Sequence, residues 1–109
     1  MAFGRNDESY AYAYGMNAVY DALFRAAEAV KYKLKKSDRA AYKAQFSTGI
    51  SLFTWGEQLH VSLAPLPDGR TGVYISSISN LGTEIAASSR NRKNVEKFVK
   101  ALNTFLPPR

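Results

Sequence analysis

The sequence predicts an α+β domain: an antiparallel sheet of about five strands, with two helices packed on one face, in the order β-α-β-β-β-β-α. Three observations carry this. Large and small, or apolar and polar, residues alternate with period two in several separate runs, the period of a strand. Two other segments repeat apolar residues at spacings of three and four, the period of a helix. Each of those helices has a single apolar stripe, which a sheet with one covered face accommodates.

The elements follow in chain order. Residues 1–8 are small, polar and aperiodic and read as a disordered lead-in, leaving 9–109 as a single domain. Tyr10-Ala11-Tyr12-Ala13-Tyr14 alternates large and small, as a strand does, and Gly15 ends it. Asn17 is the expected N-cap of a helix with Val19, Leu23, Ala26 and Val30 on its apolar stripe and Asp21 paired with Arg25 one turn on. Leu34 would continue that stripe, yet Lys31-Tyr32-Lys33-Leu34-Lys35 also alternates. We read it as a strand with Tyr32 and Leu34 inward, because Ser37-Asp38-Arg39 then joins it as a hairpin to Tyr42, Ala44 and Phe46 on the next strand. Residues 48–54 form a loop in this reading. Leu59, Val61 and Leu63 point inward from the fourth strand, and the Pro65–Arg70 turn leads to a fifth over residues 71–79. Val95, Phe98, Val99, Leu102, Phe105 and Leu106 form the stripe of the last helix, which Pro107-Pro108 stops.

At 109 residues the chain suits one domain, and 46% hydrophobic against 22% charged residues is an ordinary globular mix. It has no cysteine, which removes disulfides, thiolate nucleophiles and cysteine-based metal sites. No run approaches the ~18 apolar residues of a transmembrane segment, and the first residues lack a signal-peptide pattern, so the cytoplasm is the expected compartment. Fifteen Lys and Arg against nine Asp and Glu give a net charge of +6, which favours an acidic protein, nucleic acid or another anionic ligand as partner.

Ser79-Asn80-Leu81-Gly82-Thr83-Glu84-Ile85 and Asn91-Arg92-Lys93-Asn94-Val95, which follow Trp55-Gly56-Glu57, resemble an uncharacterised family of small bacterial β-α-β4-α domains. Members of that family read Ser-x-Leu-x-Thr-Gln and then Asp-Trp-Gly-x-Asn-x-x-Asn-Ile into the last helix. Ser79, Leu81, Thr83, Asn91, Asn94 and Val95 match, and the resemblance spans residues 10–106. Glu84, Ala87 and Ser89 depart from it, standing where Gln, Asp and Gly are usual. The resemblance implies the fold derived above and brings no activity, cofactor or functional residue with it.

Catalytic signals are sparse. His60 is the sole histidine, and Glu57, three positions away on the same strand, points to the opposite face, so no local dyad forms. The acids match no metal-ligand spacing, and the isolated glycines Gly49, Gly56, Gly69, Gly72 and Gly82 form no phosphate loop. A non-enzymatic interaction domain without metal or cofactor, binding itself or an acidic partner, is expected, with a nucleic-acid-binding module as the alternative and a small enzyme a distant third. Two surfaces are candidates for its contacts. Arg90, Arg92 and Lys93 crowd the start of the last helix, where an anion would relieve their repulsion and meet free backbone donors near Asn91 to Asn94. The uncovered sheet face would carry Lys33, Lys35, Lys43, Gln45, Gln58, His60, Ser62, Tyr74, Ser76 and Ile78. That face suits single-stranded nucleic acid if Tyr10, Tyr12 and Tyr14 join it, a homodimer contact, or plain solvent.

Overall fold

The computed structural model describes residues 5–48, 57–79 and 87–108. They form β1 (Arg5–Tyr12), α1 (Met16–Ala29), β2 (Lys33–Asp38), β3 (Lys43–Ser47), β4 (Glu57–Pro65), β5 (Thr71–Ser79) and α2 (Ala87–Phe105), the order expected from the sequence. All five strands lie in one antiparallel sheet in the order β1-β5-β4-β3-β2. Strands β2 to β5 form a meander of successive neighbours. The first strand crosses over to pair with the last.

Both helices pack on one sheet face and on each other. Val19, Tyr20, Leu23 and Ala26 of α1 and Val95, Phe98, Val99 and Leu102 of α2 are buried with Phe46, Leu59, Val61, Val73 and Ile75 of the sheet. Aromatic rings bridge the layers. Phe46 lies 5.7 Å from Phe98, Tyr32 stacks on Phe98 at 6.4 Å, and Phe24 of α1 meets Phe46 of β3 edge-on at 5.9 Å. Such pairs favour edge-on or offset geometry because the ring face is electron-rich and its rim electron-poor.

The structure corrects several local expectations. Strand β1 begins at Arg5, inside the segment read as a lead-in. Asp7 lies opposite Ser76 and Glu8 opposite Ile75, and Ser76 donates its hydroxyl to Asp7 at 2.5 Å. An edge strand held by backbone pairing along one side needs little apolar alternation, so its polar start gave no strand signal. Gly15, in an extended conformation, is the N-cap of α1 instead of Asn17, whose side chain accepts the Tyr42 hydroxyl at 3.0 Å. Asp21 bonds Arg39 across space, not the expected Arg25, and the Arg39 guanidinium sits 4.8 Å over the Tyr20 ring, tying the β2–β3 turn to α1. Phe105 belongs to the sequence stripe of α2 but is exposed.

The end of α1 settles the ambiguous segment. The Tyr32 N–H donates to the Ala27 carbonyl at 2.8 Å and the Lys31 N–H to Glu28 at 3.1 Å, while Lys31 takes a left-handed φ of 64°. This is a Schellman closure, which stops the helix and turns the chain out of it. The strand reading therefore holds, and Tyr32 is buried as expected. Leu34 is not: it is 50% exposed on β2, the outer strand of the sheet. The hairpin turn also falls later than expected, after Asp38. There Asp38 Oδ1 accepts the Ala41 N–H at 3.2 Å and Tyr42 adopts a φ of 53°. The β4–β5 turn follows its sequence signal, with Gly69 at φ 89°, a value that an L side chain rarely adopts.

Candidate functional site

Strand pairing places the outward side chains of the sheet in rows. One row runs Asp38, Lys43, Ser62, Tyr74 and Ser9, and the next runs Lys36, Gln45, His60, Ser76 and Asp7. The middle of these rows lines an open groove of about 650 Å³. Cations from β2 and β3, the imidazole of β4 and the phenol of β5 thus share one concavity. Gln45 donates from Nε2 to Gln58 Oε1 at 3.0 Å and links two strands across it.

Tyr74 is the aromatic element of this face, 42% exposed. Its ring lies back over Gly72: a Cβ there would meet the Tyr74 hydroxyl oxygen at 2.9 Å. The glycine gives the ring a seat on the sheet, a recurrent pairing of an aromatic with a bare backbone. Tyr10, Tyr12 and Tyr14 do not join it. They pack with the helix-side core, Tyr12 donating to Asn103 Oδ1 at 2.7 Å and Tyr14 to the Pro107 carbonyl at 2.6 Å. Burial pushes the Tyr12 phenol up to about 12. Tyr10 donates to the Glu8 carboxylate and is raised further, by burial first and by that carboxylate second.

The candidate residues divide between these surroundings. Lys43, His60 and Tyr74 line the groove together. Lys33 and Lys35 are exposed on β2 but are not among its lining residues, and Lys36 is. The register shifts between Leu34 and Lys36, so Lys36, not Lys35, stands opposite Gln45. A bulge of this kind adds a residue to one strand and moves everything beyond it to the other face. Lys36 was missed for that reason, since nothing in the sequence marks the shift. Asp38, also in the lining, was read as part of a turn.

The basic cluster of the last helix lies apart from the groove. Because α2 starts at Ala87, Arg90 closes the first turn and Arg92 and Lys93 lie in the second. The free backbone donors of a helix belong to its first four residues, so they lie before the expected Asn91 to Asn94 stretch. Arg92 is 3.7 Å from Glu96 one turn on, and both are exposed. The 48–54 loop, apart from Thr48, and the Trp55, Gly56 and 80–86 parts of the family-like motif lie outside the described residues.

His60 and Glu57 occupy opposite faces, as their spacing requires. Glu57 is 5% exposed on the helix side, where its Oε1 accepts Asn94 Nδ2 at 2.7 Å and its backbone N–H meets Thr48 Oγ1 at 3.0 Å. Tyr32 donates to the Asn94 carbonyl at 3.1 Å, and its phenol is pushed up to about 12 by burial and then by the Glu57 charge. Asn94 therefore clips α2 to the start of β4. Among the described residues no group of three or more His, Asp or Glu gathers as a metal site, and no helix is long and apolar enough to cross a membrane.

No protein-family model matches the chain, and no curated protein matches its sequence. Solved structures do resemble it. The chain is similar to Ara h 8.0201 (10% identity, TM-score 0.63, covering 94% of this chain and 96% of that one). It is similar to a protein from Nitrosospira multiformis (11% identity, TM-score 0.68, 94% and 95%). It also resembles the di-domain ARO/CYC StfQ from the steffimycin biosynthetic pathway, at 10% identity and TM-score 0.51, covering 96% of this chain and 51% of StfQ. At these identities the likeness is one of fold, an α+β architecture with an antiparallel sheet, and the chemistry rests on this chain's own side chains.

Proposed function

We propose that the protein is a non-enzymatic binding module that takes an acidic segment of a partner protein on the open face of its sheet. The observation that carries the reading is the groove where Lys36, Lys43, His60 and Tyr74 converge on the face left uncovered by the helices. Two cations and a seated aromatic ring suit carboxylates on a peptide that also offers apolar contact. The net charge of +6 adds a long-range attraction of the same sign.

The other occupants fit less well. Stacking of single-stranded nucleic acid draws on several aromatic side chains, and Tyr74 is the aromatic that lines the groove, the other exposed ring, Phe105, lying on α2. A second copy placed face to face would bring Lys36 and Lys43 toward their own counterparts, a like-charge contact that costs free energy. A catalytic pairing of His60 with Glu57 is ruled against by their placement, since Glu57 is buried on the opposite face of the sheet. The cytoplasm expected from the sequence is the compartment of this reading.

The test is titration with polyglutamate and with oligothymidylate at several salt concentrations. Polyglutamate should bind more tightly. Lys36→Glu with Lys43→Glu should weaken it by roughly tenfold or more, about 1.4 kcal/mol. The charge-matched Arg92→Glu with Lys93→Glu should change it far less. Equal losses in the two double variants would reduce the attraction to the field of the whole protein and sink the reading.

A further inference from the structure

We propose that β2 is a docking edge at which an acidic, extended segment of the partner adds a sixth strand to the sheet. The proposal rests on the binding role above and names how the partner is held.

Among the described residues the strand order leaves β2 with β3 on one side and no strand on the other, and all six of its residues are exposed. An uncovered edge carries backbone donors and acceptors that an extended chain can pair with. The opposite edge, β1, lies against α2 and carries Asp7 and Glu8. By contrast β2 reads Lys33-Leu34-Lys35-Lys36-Ser37-Asp38, with three lysines and an exposed leucine.

Those lysines decide the occupant. Edge lysines commonly keep sheets from pairing edge to edge, and a second copy of β2 would set three lysines against three. The charge that rejects a copy of this chain accepts a strand rich in carboxylates, so one feature repels the wrong partner and attracts the right one. Asp38 offsets part of that charge, three lysines against one carboxylate, and its carboxylate also accepts the Ala41 N–H within its own turn.

Register adds a pattern. Leu34 stands opposite Phe46, on the helix side of the sheet, whereas Lys36 stands opposite Gln45, on the groove side. Side chains of an added strand alternate in the same way. The segment that fits places carboxylates toward Lys36 and the groove, and an apolar side chain beside Leu34. Leu34, 50% exposed, is the apolar anchor that such a contact would cover.

The experiment uses a peptide of alternating glutamate and valine about as long as β2, and a second peptide of the same composition with the glutamates grouped at one end. The full chain is titrated with each, and amide hydrogen exchange is followed residue by residue. The alternating peptide should bind roughly tenfold more tightly than the grouped one, and should slow exchange at β2 amides. Leu34→Ser, a change at an exposed position, should remove that preference without lowering the melting temperature. If both peptides bind equally, β2 amides gain no protection and Leu34→Ser has no effect, yet Lys36→Glu with Lys43→Glu still weakens binding, then the edge is overturned and the groove stands. If neither peptide binds while oligothymidylate does, the edge and the acidic-partner reading both fall.

Discussion

The two faces of the sheet are built from alternate residues of the same strands and differ in almost every physical respect. Toward the helices, Phe46, Leu59, Val61, Val73 and Ile75 are closely packed and dry. Toward the outside, Gln45, His60, Ser62, Tyr74 and Ser76 are polar or aromatic and border a groove. The inner face holds the fold together, and the outer face is free to change without endangering it. A strand's period of two lets one stretch of sequence serve both purposes.

The largest expected effect lies on the inner face. Phe98→Ala removes the ring that joins Phe46 to Tyr32, and Leu102→Ala empties a fully buried site. Chemical denaturation should register about 3–5 kcal/mol for the first and about 2–5 kcal/mol for the second. If either cost were as small as that of the exposed Lys100→Ala, helix-on-sheet packing would not be the source of stability.

Alkaline pH probes the same face through its phenols. Tyr12 and Tyr32 are held near 12 against the usual 10, so the unfolded chain releases these protons first. Their contribution is fully present below pH 10 and is lost as pH rises through 12. Denaturation midpoints measured across that window should fall, and Tyr12→Phe with Tyr32→Phe should flatten the fall. An unchanged slope in the double variant would assign it to other groups.

A smaller effect is expected where the outer face is most shaped. At Gly72→Ala the new methyl meets the Tyr74 hydroxyl, the far end of a side chain that can swing away. Stability should drop by only about 1 kcal/mol, while nuclear magnetic resonance should show the Tyr74 ring displaced. An undisturbed ring would mean that Gly72 does not seat it. Smallest of all, His60→Ala should alter stability by less than about 0.5 kcal/mol, a value that thermal melts can bound.

How far the sequence foretold these faces depended on whether burial left a mark at each position. Leu59, Val61 and Leu63 face a packed core, and β4 was plain from its alternation, which also set His60 outward. Lys43 and Tyr74 followed by the same logic. The start of β1 was invisible, because Arg5 to Glu8 are held by backbone pairing with β5 and carry no apolar signal. The bulge in β2 was equally silent: one inserted residue exchanged Lys35 for Lys36 at the groove, and both are lysine. The start of α2 was hidden for a related reason. Ala87, Ser88 and Ser89 have no apolar period, so the basic cluster was assigned to a helix end that lies further back in the chain.

The crossing of β1 to pair with β5 bears on how the chain reaches this structure. Arg5 lies opposite Ile78, so the first strand made finds its neighbour only when the fifth is complete. Strands β2 to β5 close through short connections, whereas joining β1 to β5 closes a far longer loop and carries a larger entropy cost. Contacts so distant in sequence slow folding relative to local ones. During synthesis Tyr10 and Tyr12 therefore remain unpaired until β5 has emerged, a period in which they are open to wrong partners. The polar Arg5 to Glu8 stretch beside them is suited to keeping that waiting strand in solution.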